Sequence, residues 1–299
     1  MKIAVIGAGK WGQALAFALS QNNDVVITSR TKRDIENFVS LDVALEREYL
    51  VMAIPAQQIA SWLKESFTYN EQKLLVVAKG IDAKDGRFLQ EIYADYVPDT
   101  NLAFLSGPSF AAEVIKGLPT ALVVSSTNDL LAKEFSKAFP DFIKAYTSRD
   151  VVGAEISGSY KNVIAIASGV CKGLNLGLNA QAALTARGLV EMQRFGAYHG
   201  ASDDTFYGLS GAGDLFLTAG SELSRNFRVG LGLANGKTLD MIVQELGEVA
   251  EGVGTARALY KIADEEELYL PIANEVYQML EGKHPELSLK DLLAPKEAL

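Results

Sequence analysis

A lysine inside an apolar segment is the first residue of this sequence whose type and position could serve chemistry. Lys161 lies in the stretch SGSYKNVIAIASG, residues 157–169, among valine, isoleucine and alanine. At about 100° per residue, four small residues share the helix side that carries Lys161, namely Ala154, Ser157, Ala165 and Ser168. This side leaves room for a ligand. The same pattern is equally compatible with a lysine whose aliphatic stem covers apolar surface while its ammonium group reaches water.

Two later segments of the sequence favour the interpretation that Lys161 faces a ligand. The segment LSRN places Ser224, Arg225 and Asn226 side by side, and a guanidinium fork beside two polar side chains suits phosphate oxygens. The glycine-rich segment GLSGAGDL leads to Asp214, an acid that can orient a lysine. Lys79 follows the apolar run VVA, where a parallel strand would point it into a ligand cleft, although a structural ion pair also explains a lysine there. The sequence therefore predicts a phosphate-binding pocket that contains lysines.

A glycine loop near the N-terminus predicts a second ligand. Gly7, Gly9 and Gly12 have the spacing GxGxxG, after an apolar run and before a helical pattern. In this context the glycines allow a tight turn, a close approach of backbone amides to a pyrophosphate, and close packing of helix and strand. The alternative is a plain strand-turn-helix joint. The next strand ends in VVITSR, and Arg30, without an acid beside it, predicts that NADPH is accepted as well as NADH.

In the first half of the chain, predicted strands alternate with predicted helices, and these elements must position the candidate residues. Short, nearly continuous apolar runs predict buried strands at 3–6, 25–28, 50–54, 74–78, 102–105, 121–125 and 142–146. Helical patterns lie between them, at 57–67 and 129–139, and Thr31 with Asp34 resembles the start of another helix. Such alternation is typical of a doubly wound parallel sheet, the Rossmann type of α/β fold.

The pattern changes near residue 148, beyond which only helical periodicity is found. We predict a dinucleotide-binding Rossmann domain at 1–148 and an all-helical, substrate-binding domain at 149–299. A long helix over 151–172, with Asp150 as N-cap and Gly173 as C-cap, is expected to join them.

Composition excludes several classes of partner. The net charge is −9 and the isoelectric point about 4.9, which argues against nucleic acid and membrane surfaces. No apolar run is long enough for a membrane span. A single cysteine fits a reducing compartment, so a cytoplasmic location is expected. His199 and His284 are far apart without a ligand pattern, so no metal site is expected. A homodimer is compatible with the sequence, which does not show the oligomeric state.

Taken together, these motifs resemble the bacterial-type NAD(P)-dependent glycerol-3-phosphate dehydrogenases over nearly the whole chain. The resemblance rests on GAGKWG (7–12), AKG (78–80), SGPSFA (106–111), YKNVIAIA (160–167), GAGDL (211–215), LSRN (223–226) and VAEG (249–252). It implies reduction of dihydroxyacetone phosphate to sn-glycerol 3-phosphate, a phospholipid precursor, with NADH or NADPH. A related two-domain reductase, such as a 3-hydroxy acid or ketopantoate enzyme, and a dinucleotide sensor are the alternatives.

The resemblance also implies roles for individual residues. Lys161 matches the catalytic acid/base, and Lys79 matches a catalytic residue shared by cofactor and substrate. Asp214 matches a substrate-contacting, catalytic position, where it would orient or partly neutralise the lysines. Other substrate-contacting positions match Gly107, Ser109, Ser224, Arg225 and Asn226. Cofactor-contacting positions beyond the three glycines match Lys10, Trp11, Arg30, Ala111, Arg225, Val249 and Glu251. Lys10 stands where serine or threonine is commoner, and the segment after Arg30 is about two dozen residues shorter than usual.

Overall fold

A seven-stranded sheet forms the first half of the molecule. The computed structural model describes residues 1–293, so residues 294–299 of the predicted second domain lie outside it. The strands are β1 Lys2–Ile6, β2 Asp24–Thr28, β3 Tyr49–Met52, β4 Lys73–Val76, β5 Leu102–Ser106, β6 Thr120–Ser125 and β7 Ile143–Ser148. They lie in the order β2-β1-β3-β4-β5-β6-β7. All seven predicted strands are present, and the Rossmann-like fold class is confirmed.

Helices cover both faces of this sheet. They are α1 Lys10–Ser20, α2 Leu41–Leu45, α3 Ala56–Ser66, α4 Leu89–Ala94, α5 Ala111–Val114 and α6 Asp129–Ala138. Alternate residues of one strand enter different cores: Ile3 and Val5 pack with Leu15 of α1, whereas Ala4 and Ile6 pack on the other face. Burial on both faces explains why the strands read as continuous apolar runs.

One strand pair departs from the expected parallel arrangement. Strands β1 to β5 are parallel, but β6 runs antiparallel to β5, and β7 is parallel to β6. The connection over residues 107–119 contains only the four-residue helix α5. Because a parallel return requires a crossover, usually through a full helix, this short connection reverses the chain at the edge of β5 instead.

The prediction that a helix starts at Thr31 is wrong. Residues 29–40 are irregular, and the next helix is α2. The Ile27 amide donates to the Asn37 carbonyl, and the Val39 amide donates to the Ile27 carbonyl. This segment thus pairs along the exposed edge of β2, and backbone bonds to a sheet edge replace those of a helix.

The second half of the described chain is built around one buried helix. Its helices are α7 Val151–Gly173, α8 Gly177–Tyr198, α9 Asp203–Tyr207, α10 Asp214–Ala219, α11 Arg225–Ala234, α12 Leu239–Leu246, α13 Glu251–Glu265, α14 Pro271–Leu280 and α15 Pro285–Leu293. The central helix α7 packs against α8, α10, α11 and α13. The Asp150 carboxylate accepts from the Gly153 amide as N-cap, at 2.8 Å, as predicted.

Glycines allow α7 and α11 to cross in backbone contact. A Cβ on Gly230 would lie 1.9 Å from the Ile166 carbonyl oxygen, and one on Gly169 would lie 2.0 Å from that of Phe227. Gly173 is the last residue of α7 rather than its cap, because the left-handed conformation that ends the helix is taken by Asn175, at φ 55°. The division at residue 148 stays a prediction. In the part of the chain that the structure describes, no helix combines the length and the hydropathy needed to cross a bilayer.

Candidate active site

The glycine loop forms an open cradle at the start of α1. Gly7 has φ 118°, and a Cβ there would lie 2.3 Å from the Ala53 carbonyl oxygen. A Cβ on Gly12 would lie 1.8 Å from the Gly7 carbonyl oxygen, whereas one on Gly9 would meet no atom within 4 Å. Gly9 caps α1 without a side-chain hydrogen bond. The first amides of the helix therefore face open space, where an anion can approach them.

A buried carboxylate links the two lysines. Lys161 donates from Nζ to Asp214 Oδ1 at 2.5 Å and to Thr218 Oγ1 at 2.9 Å. Lys79 donates from Nζ to Asp214 Oδ2 at 2.7 Å and to the Gly107 carbonyl at 3.2 Å. Asp214 is 1% exposed and Lys161 6%. Two cations thus share one anion, which leaves the cluster with a net positive charge.

Burial changes the proton affinity of this cluster. Burial lowers the pKa of Lys161 to about 8, with the positive charge of Lys79 adding to this effect and Asp214 opposing it. Burial raises the pKa of Asp214, but the two ammonium groups together outweigh that effect, so its pKa lies below the ordinary value. Lys161 can therefore lose and regain a proton near neutral pH while Asp214 stays ionised.

Neighbouring elements fix the lysines in place. Lys79 follows β4, and a Cβ on Gly158 of α7 would lie 3.3 Å from its Cγ, so the absence of a side chain at Gly158 makes room for the lysine stem. Glu251, the first residue of α13, accepts from the backbone amides of Ala56 and Lys79, both at 3.3 Å. Asp214 begins α10, and Thr218 lies one turn after it. The strand end, α7 and α13 thus meet at Lys79.

The start of α11 carries the predicted phosphate set. The Ser224 hydroxyl caps the helix by accepting from the Phe227 amide at 3.3 Å. Asn226 Oδ1 accepts from the Gly252 amide at 3.0 Å, which leaves its Nδ2 group available as a donor. Arg225 donates from Nη1 to Glu248 Oε2 at 3.1 Å. A helix N-terminus, a guanidinium and an amide thus lie together, which suits an anion.

A cleft of 390 Å³ brings most of these groups together. Ten of the predicted residues line it: Lys10, Trp11, Lys79, Ser109, Ala111, Lys161, Ser224, Arg225, Asn226 and Glu251. Asp214 lies behind the lysines, and Gly107 contributes the carbonyl that accepts from Lys79. Of the loop glycines, Gly9 directly precedes Lys10, Gly12 directly follows Trp11, and Gly7 lies two residues before Gly9. Arg30, exposed after β2, and Val249, 44% exposed, do not line this cleft.

Sequence reasoning missed five polar residues that line the cleft, namely Asn162, Thr218, Glu222, Arg228 and Glu248. Thr218 bonds Lys161 and lies four residues after Asp214, so the helical pattern of α10 could have indicated it. Asn162, beside Lys161, donates to the Lys79 and Gly158 carbonyls. Glu248 pairs with both Lys10 and Arg225, and no local signal in the sequence indicates that contact.

A second and larger cavity is not a competing site for this chemistry. It has a volume of 560 Å³, lies between α8, α14 and α15, and shares no lining residue with the lysine cleft. Its wall is mostly aliphatic and holds none of the predicted site residues. Within residues 1–293, no group of three or more histidine, cysteine, aspartate or glutamate side chains is placed to hold a metal ion.

Fold and site together define a class of protein. A glycine cradle on a Rossmann-type sheet, which opens toward a buried lysine supplied by a helical second half, is the architecture of a two-part nicotinamide-dependent oxidoreductase. Comparison with known proteins narrows the class. The N-terminal model of NAD-dependent glycerol-3-phosphate dehydrogenase matches residues 2–41 and 32–132. The C-terminal model matches residues 150–290.

Individual relatives agree with these matches. The chain is 65% identical to a glycerol-3-phosphate dehydrogenase (NAD(P)+) of Sulfurimonas denitrificans, over 98% of this chain and 99% of the relative. It is 56% identical to the enzyme of that name from Campylobacter lari, over 100% of both chains. The crystal structure of a glycerol-3-phosphate dehydrogenase from Coxiella burnetii is similar with a TM-score of 0.89 and 30% identity, over 98% of each chain. The chain belongs to the NAD-dependent glycerol-3-phosphate dehydrogenase family.

Proposed function

We propose that this chain reduces dihydroxyacetone phosphate to sn-glycerol 3-phosphate with NADH or NADPH, reversibly, in the cleft between the sheet and the helical half. One observation carries the proposal: the buried pair of lysines on Asp214 faces the same cleft as the anion-binding start of α11 and the residues after the glycine cradle. The names of the curated relatives support the same reaction.

The residues at the N-terminal half of the cleft fit a dinucleotide. Gly9 leaves open space above uncapped helix amides, which suits a pyrophosphate. Arg30, exposed after β2, suits the 2′-phosphate of NADPH, and the neighbouring Ser29 does not repel it. We assign to the same ligand Lys10, Trp11, Ala111, Arg225, Val249 and Glu251, of which Arg225 also faces the substrate. When bound, the cofactor supplies a hydride from C4 of its nicotinamide.

The start of α11 serves to bind and orient the substrate. Arg225 and Asn226 donate to the phosphate, and Ser224 keeps the helix end in place through its cap bond. Since both ends of this small substrate would be held, its carbonyl is fixed within reach of the lysines. Lys79, held by Asp214 and the Gly107 carbonyl, donates to the carbonyl oxygen, near Ser109. This contact stabilises negative charge as it develops on that oxygen.

Lys161 then supplies the proton. Its ammonium group donates a proton to the alkoxide oxygen that forms from the carbonyl, which yields the secondary alcohol. Asp214 and Thr218 hold the Lys161 amine in one orientation throughout. Lys161 lines the cleft, so it regains a proton from solvent after the product leaves. In the direction of oxidation the same amine, when neutral, accepts the proton of the alcohol.

We place this activity in glycerophospholipid supply in the cytoplasm. The product carries the three-carbon phosphate backbone of those lipids, and the single cysteine, buried and free, fits a reducing compartment. We also propose a homodimer, for which light scattering combined with size-exclusion chromatography is the direct measurement. A mass of one chain at micromolar concentration would contradict it.

An activity assay tests the proposed reaction. The oxidation of NADH and of NADPH is followed by absorbance with three substrates: dihydroxyacetone phosphate, unphosphorylated dihydroxyacetone and ketopantoate. We expect turnover of the phosphorylated ketone with either cofactor, and poor turnover of the other two compounds. Equal rates with dihydroxyacetone and its phosphate would overturn the assignment of the α11 start to phosphate. Preferential reduction of ketopantoate would favour the alternative reductase class.

A further inference from the structure

A glutamate bridges two cations that line opposite sides of the cleft. Glu248 lies between the end of α12 and the start of α13. Its Oε1 lies 2.5 Å from Lys10 Nζ, and its Oε2 lies 3.1 Å from Arg225 Nη1. Lys10 is the first residue of α1 and Arg225 the first residue of α11. One carboxylate is therefore held between two cations, each at the positive end of a helix.

This position is one that an anionic ligand would take. Helix N-termini and cationic side chains are the groups that proteins use to bind phosphate. Arg228, which also lines the cleft, adds a third positive charge. Burial raises the pKa of Glu248, but Lys10, Arg225 and Arg228 together lower it below the ordinary value. The carboxylate is thus ionised at neutral pH, and it engages the same charges that we assign to the cofactor and the substrate.

The surroundings of Glu248 allow it to leave. The preceding Gly247 ends α12 in a left-handed conformation, at φ 63°, and Val249 beyond it is 44% exposed. The Glu248 side chain is 31% exposed and that of Lys10 is 79% exposed. Because Glu248 is held by ion pairs at the surface of the cleft, its displacement exposes no apolar core.

We propose that Glu248 determines cofactor affinity as an internal anion, which occupies Lys10 and Arg225 until the phosphates of the dinucleotide displace it. This inference rests on the proposed function, since it takes NADH or NADPH as the ligand. It gives the unusual Lys10 a role: Lys10 pairs with Glu248 in the free enzyme and with phosphate in the complex. The carboxylate weakens binding, and its return to the two cations assists release of the cofactor.

Binding of NADPH to the intact chain tests the inference. Quenching of tryptophan fluorescence is suitable, because Trp11 lines the cleft. Surface ion pairs are weak, so Glu248→Gln is expected to lower the Kd for NADPH by about 2- to 10-fold. The dependence of Kd on salt should become steeper, since both cations are then free for the ligand. Glu245→Gln is the matched control, because Glu245 pairs with Lys237 outside the cleft, at 2.6 Å. The Kd of this variant for NADPH should equal that of the parent chain.

A second variant tests whether Lys10 is the shared partner. Lys10→Gln should change the Kd for NADPH little in the parent chain. There it removes a contact with the ligand, which weakens binding, and also the competing ion pair with Glu248, which strengthens binding. In the Glu248→Gln background the same change should weaken binding, and the difference measures the coupling. An unchanged or raised Kd in Glu248→Gln would overturn this inference alone. Absence of NADPH binding by the parent chain would overturn the proposed function, and this inference with it.

Discussion

The Lys161 amine, to which we assign the proton transfer, lies in a buried position with little access to water. The Lys161 residue is only 6% exposed, yet its ammonium group has two polar partners, and Lys161 lines the cleft. A lysine that merely covered apolar surface would direct its ammonium group to bulk water. The buried contacts with Asp214 and Thr218 argue against that alternative for Lys161. Lys79 does form the ion pair that its position also suggested, with Asp214.

Removal of the Lys161 amine should abolish most turnover without loss of cofactor binding. We expect Lys161→Ala to reduce kcat by about 10²- to 10⁴-fold, the usual contribution of a positioned acid. The Kd for NADPH should change little, since the glycine cradle lies on another element. Lys172→Ala, at the exposed end of the same helix, is the control and should retain parental turnover. A folded Lys161→Ala protein with more than about a tenth of parental kcat would contradict the role.

The lowered pKa of Lys161 predicts opposite pH profiles for the two reaction directions. Reduction requires the ammonium form, so kcat should fall as pH rises through about 8. Oxidation requires the neutral amine, so its kcat should rise over the same range. Stopped-flow rates of nicotinamide absorbance change, measured at saturating substrate in both directions, check this. Profiles that are flat across this range would mean that another group exchanges the proton.

Arg225 should contribute to substrate affinity rather than to the proton transfer that we assign to Lys161. A charge-assisted contact to phosphate is worth about 1.5–3 kcal/mol, so Arg225→Ala should lower kcat/KM for dihydroxyacetone phosphate by about 10- to 100-fold. Turnover of unphosphorylated dihydroxyacetone should stay at its low parental level. Arg257→Ala, which removes an arginine that pairs with Glu281 on the surface, should leave both values unchanged. An equal loss for both substrates would indicate a general structural defect.

At the scale of elements, the crossing of α7 and α11 sets the distance between the proposed proton donor and the proposed phosphate site. Lys161 is on α7, the phosphate set is at the start of α11, and glycines bring the two backbones into contact. A side chain at this contact must push the helices apart, because its Cβ would meet backbone rather than a flexible side chain.

Substitution of Gly230 by alanine tests this coupling. Overpacking of a core typically costs about 1–3 kcal/mol, so Gly230→Ala should lower the melting temperature and also raise the KM for dihydroxyacetone phosphate. Gly169→Ala disturbs the same helix contact from α7, because its Cβ would lie 2.0 Å from the Phe227 carbonyl oxygen. It should likewise lower the melting temperature and raise the KM. Parental stability and KM in both variants would show that the helices adjust without moving the site.

At the scale of the whole molecule, contacts between the two halves are part of the site. Ile81 and Phe88, which precede α4, pack within the core of the helical half. The Glu251 carboxylate holds two amides of the first half, and Glu155 of α7 accepts from the Gln90 amide at 3.1 Å. The halves therefore share both a core and polar contacts, which should make them unfold together.

Thermal unfolding should accordingly show a single transition for the whole chain. NADPH at about 100 times its Kd adds about 2.7 kcal/mol of stability, and calorimetry should show the entire transition move to higher temperature. NADPH should shift the unfolding transition of the Glu245→Gln variant by the same amount, because Glu245 lies outside the cleft. Two separate transitions, with only one displaced by NADPH, would contradict the view that the halves form one cooperative unit.

Local patterns in the sequence determined much of this molecule. The strand runs, the three glycines, the Asp150 cap and the lysine inside α7 all depend on residues close together in the chain. Periodicity and turn chemistry act over such distances, so the sheet class and the groups for chemistry could be predicted. The resemblance to a family then supplied roles that the residues alone left open, such as that of Lys79.

Only the tertiary structure decided which distant charges meet. Asp214 joins Lys79 and Lys161 across 135 and 53 residues, and Glu248 reaches both Lys10 and Arg225, contacts that no local pattern encodes. The antiparallel β6 and the irregular segment after Arg30 were likewise set by pairing at sheet edges, which overrode local preference. The physical reason is that ion pairs and edge hydrogen bonds form only after hydrophobic packing has fixed the relative positions of the elements.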